Sequence, residues 1–433
     1  MIIDTALKEL EESGKPIRVG IIGAGAAGRA IALQLGTPPP GIRLAAIVNR
    51  SPERGERAFR EAGVREWRRT DSVRDAERAI NQGMPILTAD PSVVTGCDAI
   101  DVIIEGTGTI EYAAGVVLAA FNHGKHVVLV NAELDSFLGP ILKVRADRAG
   151  LVITHTDGEE PGVAMTLLRY LRAAGLRTVA AGNLKGMVDH YRTPETQLSF
   201  ALKYDQDPRK VTSFADATKL SMETTILANA TGFQAGCRGM YGPACEHVRE
   251  MGKLLPANQM LERGLVDYAL GAAPHTGAFV VVYEDNPLKQ AQLGYVKMGD
   301  GPFYVFYTPY HLPHIQITST IARAFVHGDP TVAPIAGPVC EVITLAKRDM
   351  KAGERLDGIG GFCAYGLIEN TAAARSINAL PLSLSENCLL RRDVARDEVI
   401  SFSDVQEPTR SVVDQLWSEQ LARWQLAKQG VGK

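Results

Sequence analysis

The feature that most constrains this chain is a glycine-rich turn, GAGAAG, at residues 23–28. A β-branched segment, IRVGIIG, precedes the turn, and RAIALQLG, whose apolar residues follow a helical period, comes directly after it. In such a strand, turn and helix unit, Gly23 makes the tight turn, Gly25 admits a pyrophosphate to the backbone, and Gly28 lets the helix approach the strand. Unpaired N–H groups at the helix start face the anion. The turn therefore predicts a dinucleotide site.

Apolar strands alternate with helical stretches through the first third of the chain. The further predicted strands are 42–48, 99–105, 126–130 and 151–155. Continuous apolar strands alternating with helices are typical of a parallel sheet covered on both faces. We therefore predict an α/β fold with three domains: a Rossmann doubly wound parallel sheet at 1–160, an α+β catalytic domain at 161–330, and a small β module with a closing helix at 331–433. The charged stretch 63–97 is expected to add a helix and a short strand.

Composition excludes several classes of protein. Lys and Arg number 46 against 49 Asp and Glu, a net charge of -3, which argues against binding nucleic acid by bulk electrostatics. No apolar run approaches the roughly 18 residues needed to cross a bilayer. The six cysteines form no CxxC pair and follow no apolar leader, so we expect a reduced, cytoplasmic protein.

The end of the second predicted strand bears on cofactor choice. An NAD enzyme usually places Asp or Glu there to bind the ribose 2′-hydroxyl. This chain has Asn49, Arg50 and Ser51 instead. A cation and a hydroxyl suit a 2′-phosphate, so NADP(H) is favoured over NAD. The alternative is that Arg50 is a solvated loop residue.

Polar residues also follow the next two strands of the sheet, where ligands of doubly wound folds bind. Glu105, Gly106 and Thr107 are predicted to lie near the nicotinamide ribose. Asn131 and Glu133 are predicted to face the same edge, as a cofactor and a substrate contact respectively. Their alternative is structural, an asparagine turn and a glutamate favoured by the helix dipole.

The segment THTDGEEPG, residues 154–162, holds three carboxylates in four positions. Carboxylates this close repel one another, so a fold tolerates them in solvent or beside cations. We predict Asp157 and Glu159 as catalytic electrostatic groups and as candidate ligands of a divalent ion, Mg²⁺ or Mn²⁺. Acidic capping of a helix start is the alternative.

Cations follow in the predicted catalytic domain. Lys185 lies in GNLKGM, just after a strand, and Lys219 lies in a predicted helix with Asp216 and Glu223. The spacing i, i+3 and i+7 from Asp216 predicts one helix face. We predict Lys185, Lys219 and Asp216 as catalytic residues, with surface salt bridging as the alternative for Lys219.

Three further residues are predicted to bind substrate. Lys203 in ALKYD and Arg238 in a glycine-rich loop are candidate anchors for an anionic group. Asn229 is a polar residue in an otherwise apolar stretch. Together these residues predict a pocket for a small, anionic substrate.

Several motifs together resemble a known family. GAGAAGRAIA, EGTGTIEYAA, VVLVNAELD, THTDGEEPG, GNLKG, DATKLSMETTILANATGF, RGMYGP and AKRDMKAGERLDG look like the DXR-like (DRL) oxidoreductases, over nearly the whole chain. These are homoserine-dehydrogenase-related Rossmann enzymes with a C-terminal SAF-type β-clip. The resemblance implies that the module at 331–433 is a β-clip.

The resemblance implies an NADPH-dependent reductoisomerase, which converts 1-deoxy-D-xylulose 5-phosphate to 2-C-methyl-D-erythritol 4-phosphate in isoprenoid biosynthesis. In that reading Lys185 and Lys219 polarise oxygens or move protons, and Lys203 with Arg238 anchors phosphate. A simple NAD(P)-dependent dehydrogenase of homoserine, polyol or sugar-acid type is the alternative, and a non-catalytic NADP-binding sensor is a third. We also expect a homodimer, joined through the strands GAFVVVYED and PFYVFYTPY.

Overall fold

Seven parallel strands alternate with helices in the N-terminal part of the chain. The computed structural model describes residues 3–37 and 39–426. The first elements are α1 (Ile3–Glu12), β1 (Ile17–Ile22), α2 (Ala26–Gly36), β2 (Ile42–Val48), α3 (Pro52–Glu61), β3 (Arg68–Arg69), α4 (Val73–Asn81), β4 (Ile86–Thr88), α5 (Pro91–Thr95), β5 (Val102–Glu105), α6 (Glu111–Asn122), β6 (His126–Leu129), α7 (Ala132–Arg148) and β7 (Ile153–His155). The strand order is β3-β4-β2-β1-β5-β6-β7, all parallel. The predicted α/β fold class is confirmed.

The apolar strands form the core of this sheet. Strands β5 and β7 are buried along their whole length, because helices cover both faces of a parallel sheet. The stretch 63–97 contributes two strands and two helices, one of each more than the sequence predicts.

The rest of the chain contributes a second, mixed sheet, small antiparallel strand pairs and further helices. Its elements are α8 (Glu160–Ala173), β8 (Arg177–Lys185), α9 (Leu198–Lys203), α10 (Pro208–Ala215), α11 (Thr218–Thr231), β9 (Gln234–Ala235), α12 (Met251–Leu254), α13 (Ala257–Arg263), β10 (Leu265–Leu270), β11 (Ala278–Tyr283), α14 (Pro287–Tyr295), β12 (Phe303–Thr308), α15 (Ile317–His327), β13 (Cys340–Ala346), β14 (Ala364–Asn370), α16 (Thr371–Ser376), β15 (Leu389–Leu390), β16 (Val405–Gln406) and α17 (Val412–Arg423). The sheet order is β12-β11-β8-β10-β9, and β13 pairs with β14 as an antiparallel hairpin.

Two compact units divide the described chain. The Rossmann unit holds the described residues up to Glu159, with Leu312–Ala333 and Ser411–Leu416. The second unit, called the catalytic unit after the catalytic domain predicted there, holds Glu160–His311, Pro334–Arg410 and the described residues from Trp417 onward. The first boundary lies one residue from the predicted one. The later boundaries differ, because α15 buries apolar residues in the Rossmann core and the β13–β14 hairpin belongs to the catalytic unit.

Two expectations concern the outer surface. Strand β11, part of the predicted intersubunit sheet, pairs with β8 on one side and β12 on the other, so β12 provides the edge at this end of the sheet. Buried aliphatic residues explain the apolar run of β11 better than a subunit contact does.

Within residues 3–37 and 39–426, no helix combines the length and apolarity that a membrane span requires.

Candidate functional site

The three glycines of the first turn serve three different geometric needs. Gly23 has φ of 102°, a left-handed conformation that favours glycine. A Cβ on Gly28 would lie 1.9 Å from the carbonyl oxygen of Gly23, so helix α2 can approach the turn only with glycine there. A Cβ on Gly25 would meet no atom within 4 Å, and no side chain caps the helix start. Open space before uncapped N–H groups is what a pyrophosphate requires, so the residues fit a dinucleotide.

The end of β2 is tied to this turn. The Asn49 Oδ1 accepts a hydrogen bond from the Ala24 N–H at 3.0 Å, and its Nδ2 donates to the Ser51 carbonyl at 2.8 Å. Asn49 therefore holds the turn in place. Arg50 is exposed, and the Ser51 hydroxyl donates to Glu53 at 2.7 Å. Of the three residues predicted to contact the cofactor, Arg50 is the one whose side chain faces solvent.

A buried polar network organises the loops after β5 and β6. The Glu105 carboxylate accepts hydrogen bonds from the Thr107 N–H at 2.9 Å and the Asn131 Nδ2 at 2.6 Å. Burial raises the pKa of Glu105, although these donors oppose the shift. Asn131 also caps α7 by accepting from the Leu134 N–H at 3.0 Å. These hydrogen bonds fix the conformation of the loop that contains Gly106.

The first ionic cluster, the His155 cluster, lies in the Rossmann unit. His155 ends β7, and its Nδ1 and Nε2 lie 3.1 Å from Asp135 and 2.6 Å from Glu159. Burial alone lowers the pKa of His155, but the two carboxylates raise it to about 9. His155 is therefore an enclosed imidazolium, and Glu159 is its counter-ion. No role is predicted from sequence for His155 or Asp135, although both lie in quoted motifs.

Asp157 points to a different partner. Its carboxylate lies 3.5 Å from the Arg323 guanidinium and accepts the Thr331 hydroxyl, and its backbone N–H donates to Thr320 at 2.8 Å. Asp157 and Glu159 are thus neutralised by separate cations. Over residues 3–37 and 39–426, no group of three or more His, Cys, Asp and Glu side chains is arranged to hold a metal ion. Metal binding by Asp157 and Glu159 stays a prediction.

The second ionic cluster, the Lys185 cluster, lies in the catalytic unit. Lys185 ends β8, and its ammonium lies 2.7 Å from Glu160 and 3.3 Å from Glu223. Burial alone lowers the pKa of Lys185, but the two carboxylates raise it above its ordinary value. The Lys219 ammonium lies 4.0 Å from the other oxygen of Glu223, one helical turn away on α11. The structure therefore brings the two predicted catalytic lysines onto one carboxylate.

Three residues outside the predicted catalytic set complete this cluster. Asn183 precedes Lys185 by two positions on β8, so both side chains lie on one face of the strand, and its Nδ2 donates to Glu223 at 2.9 Å. His311 lies 3.8 Å from Glu160. Glu160, the first residue of α8, was one of the three quoted carboxylates, and its partner Lys185 comes from the end of β8. The two-residue period of a strand is enough to predict that Asn183 shares a face with Lys185.

The prediction that Asp216 shares a helix face with Lys219 is wrong. Helix α11 begins at Thr218, after Ala217 turns the chain with φ of 74°. The Asp216 carboxylate instead accepts the Thr218 N–H at 3.0 Å and pairs with Lys347 at 2.8 Å. Burial raises the pKa of Asp216, and Lys347 opposes this. Asp216 thus forms a buried ion pair with Lys347.

The predicted substrate residues have different local surroundings. The Asn229 Oδ1 accepts the backbone N–H groups of Val339 and Cys340 at 2.8 and 3.0 Å, so it supports the fold. Lys203 is exposed, with its ammonium 5.1 Å from the Tyr204 ring. Arg238 pairs with Glu369 at 3.0 Å. Glu133 lies in the first turn of α7.

Comparison with known families agrees with this division of the chain. Residues 158–317 match the family model described as oxidoreductase DRL, catalytic domain, and this range contains the Lys185 cluster. Residues 17–129 match the oxidoreductase family with NAD-binding Rossmann fold, which contains the glycine turn. The second match supports a nicotinamide cofactor. No protein of curated function matches the chain.

Several solved structures are similar to the chain. A homoserine dehydrogenase from Thiobacillus denitrificans has 16% sequence identity and a TM-score of 0.43, covering 89% of this chain and 98% of that one. A myo-inositol dehydrogenase from Lactobacillus casei, in complex with NAD(H) and myo-inositol, has 13% identity and a TM-score of 0.40 over 74% of this chain and 89% of that one. The scyllo-inositol dehydrogenase of Lactobacillus casei has 12% identity and a TM-score of 0.41 over 72% and 88%.

Proposed function

We propose that this chain, an NAD(P)-dependent oxidoreductase by its two family matches, is an NADPH-dependent reductoisomerase of a phosphorylated ketose. The substrate proposed is 1-deoxy-D-xylulose 5-phosphate, and the product is 2-C-methyl-D-erythritol 4-phosphate. In this reaction the carbon skeleton rearranges to an aldehyde, which is then reduced to an alcohol.

The observation that carries the proposal is the Lys185 cluster. Rearrangement and reduction both develop negative charge on neighbouring oxygens, which needs fixed cations and a proton donor. The Lys185 ammonium, held by Glu160 and Glu223, is suited to donate a proton to the oxygen that receives charge. Lys219, on the other side of Glu223, is suited to polarise the adjacent oxygen. The bound nicotinamide supplies the hydride.

The choice of NADPH rests on the end of β2. Arg50 is exposed there, and no acidic residue follows the strand until Glu53 in α3. A free guanidinium is a strong partner for a 2′-phosphate because it offers several donors in one plane. We expect a lower KM for NADPH than for NADH, measured by initial rates at saturating substrate. A lower KM for NADH would remove NADPH from the proposal.

A second candidate is an NAD(P)-dependent dehydrogenase of homoserine, a polyol or a sugar acid. The contacts of the predicted phosphate anchors favour it: Lys203 contacts the Tyr204 ring, and Arg238 contacts Glu369. Within the Lys185 cluster the two lysines face two carboxylates, a balance that suits a substrate with uncharged hydroxyl or carbonyl groups there.

One experiment separates the two candidates. Purified protein is incubated with NADPH and 1-deoxy-D-xylulose 5-phosphate, with Mg²⁺, with Mn²⁺ and with a chelator, while absorbance at the nicotinamide band is followed and the product is identified by mass spectrometry. The reductoisomerase predicts NADPH consumption and an isomerised, reduced product. Turnover of homoserine or a sugar acid with NADP⁺, and none of the ketose phosphate, would establish the dehydrogenase instead. Loss of rate with the chelator would support the predicted metal.

We also propose a homodimer, with β12 as the strand available for pairing between subunits. The edge position of β12 and its partly exposed aromatic residues support this. Light scattering coupled to gel filtration measures the mass, and a monomer at all concentrations would contradict it.

A further inference from the structure

The backbone directly before helix α11 adopts an unfavourable conformation. Ala217 has φ of 74°, in the left-handed region that glycine enters easily and alanine rarely adopts. Such a residue keeps its conformation only where the surrounding structure holds it, and strained residues are concentrated at active sites. Helix α11 begins at the next residue, Thr218, and Lys219, the second proposed catalytic lysine, follows it. The turn at Ala217 therefore sets where α11 begins and where Lys219 lies.

Both neighbours of Ala217 are fixed by hydrogen bonds. The Asp216 carboxylate accepts the Thr218 N–H through Oδ1 at 3.0 Å, while its other oxygen, Oδ2, accepts from the Lys347 ammonium at 2.8 Å. The Thr218 hydroxyl oxygen accepts from the backbone N–H of Gly366 at 3.0 Å. Lys347 directly follows β13 and Gly366 lies in β14, so the β13–β14 hairpin holds the residue on each side of Ala217.

The Lys347 ammonium has three N–H groups, and each has an acceptor. Besides Asp216, it donates to the carbonyl oxygens of Arg192 at 2.7 Å and Gly361 at 2.9 Å. Arg192 lies in the segment that follows β8, whose last residue is Lys185. The Lys347 side chain is 3% exposed and that of Asp216 is 0% exposed. This ion pair therefore acts through the residues that it holds and not by contact with substrate.

We propose that the ion pair of Asp216 and Lys347 is a positioning pair. It holds the left-handed turn at Ala217 and thereby places the Lys219 ammonium for catalysis. This role rests on the proposed function of Lys219 in polarising a substrate oxygen, and it requires no proton transfer by either member of the pair. Without the pair, residue 217 relaxes toward the conformations that alanine prefers. The first turn of α11 then shifts, and Lys219 shifts with it.

The test removes both charges of the pair at once. In the double variant Lys347→Met with Asp216→Asn, no charge is left buried alone, and the asparagine Oδ1 can still accept the Thr218 N–H. We expect kcat to fall about 10- to 100-fold, the cost of a small displacement of a catalytic group, while the dissociation constant of NADPH stays unchanged. Initial rates measure kcat, and fluorescence of bound NADPH measures binding. An unchanged kcat would overturn the proposal.

A glycine at position 217 separates positioning from general stability. Glycine adopts a left-handed φ without strain, so Ala217→Gly removes the need for the ion pair to hold the turn. We expect this change to raise the kcat of the double variant about fivefold, and to raise that of the wild type by less. An equal effect of Ala217→Gly on both proteins would contradict the proposal, because the turn and the pair would then act independently.

A signal from Lys219 itself gives a readout that needs no substrate. In full-length protein labelled with lysine that carries ¹³C at Cε, NMR detects the Lys219 Cε–Hε signal, which is assigned with Lys219→Arg. We expect the signal to move in the double variant and to move back when Ala217→Gly is added, and an unmoved signal would overturn the proposal. A signal that moves and returns, in a protein that turns over neither the ketose phosphate nor homoserine or a sugar acid, would support the placement of Lys219 and reject the proposed function alone.

The matched control is a second, mostly enclosed ion pair in the same unit. The Arg375 guanidinium lies 2.7 Å from the Glu341 carboxylate, and their side chains are 13% and 7% exposed. Glu341 lies in β13 and Arg375 lies in α16, so this pair joins β13 to α16 instead of to α11. The double variant Glu341→Gln with Arg375→Met should leave both kcat and the Lys219 signal unchanged. Equal losses in the two double variants would indicate general loosening of the unit and would reject the positioning role.

Discussion

Each of the two ionic clusters of this protein places a cation between two carboxylates, but the two cations differ in their exposure to solvent. In the His155 cluster, one cation lies between Asp135 and Glu159, and the imidazole is 0% exposed. In the Lys185 cluster, one cation lies between Glu160 and Glu223, and the ammonium is partly exposed. Glu159 and Glu160 are consecutive residues, yet each belongs to a different cluster.

The difference teaches that a buried cation between carboxylates is not by itself a catalytic group. A fully enclosed pair has no path to substrate or water, so it acts on the fold. The Lys185 cluster adds a second lysine on Glu223 and a partly exposed histidine near Glu160. An ionisable group that lies near both solvent and a second ionisable residue can exchange protons with them.

The first prediction has the largest expected effect and concerns the enzyme activity that depends on the Lys185 cluster. Lys185→Met removes the proposed proton donor, and we expect kcat to fall about 1000-fold, within the range for general acid catalysis. Rates of NADPH oxidation measure this, and fluorescence of bound NADPH checks that the cofactor still binds. Because the substitution leaves two carboxylates together, the double variant Lys185→Met with Glu160→Gln guards against misfolding. Full activity in both variants would make the Lys185 cluster structural.

The second prediction concerns stability. His155→Gln leaves Asp135 and Glu159 buried without their cation, and we expect the free energy of unfolding to fall by about 3 to 5 kcal/mol. Urea unfolding followed by circular dichroism measures the change. The kcat of the remaining folded protein should stay within a few-fold of the wild type. A large loss of kcat with unchanged stability would show that the two clusters do not differ as described.

The third prediction is a pH dependence that belongs to the His155 cluster. The pKa of His155 is raised to about 9 in the folded protein, from 6.5 when unfolded. A raised pKa means that the stabilisation is complete below pH 6.5 and is lost as pH rises through 9. We expect the wild type to lose about 1 to 3 kcal/mol across this window, from about 1.4 kcal/mol per pKa unit. His155→Gln should lack this loss, and parallel pH profiles of the two proteins would contradict the assignment.

The smallest effect tests what the Rossmann unit contributes to the reaction itself. Arg50→Ala should raise the KM for NADPH about tenfold, equivalent to about 1.4 kcal/mol, because one charge-assisted contact to a phosphate is lost. The KM for NADH should not change. Initial-rate kinetics with both cofactors measure this, and equal increases for both would mean that Arg50 acts on the fold rather than on the 2′-phosphate.

Local sequence patterns were sufficient to predict the fold class and the glycine turn that fits the cofactor. The alternation of strands and helices, and the spacing of Gly23, Gly25 and Gly28, depend on neighbouring residues, so one sequence predicts them. The error at Asp216 has a local cause as well, since helical spacing was extended past a left-handed turn at Ala217 that alanine rarely adopts.

The sequence by itself determined the fold class, the glycine turn, and the presence of three crowded carboxylates, which a fold tolerates in solvent or beside cations. Only the tertiary structure decided which cation each carboxylate receives: Asp157 pairs with Arg323, Glu159 with His155, and Glu160 with Lys185. The physical reason is that ion pairs act over a few ångströms in space. Lys185 meets Glu160 and Glu223 from 25 and 38 residues away, a proximity that packing of β8 against α8 and α11 creates.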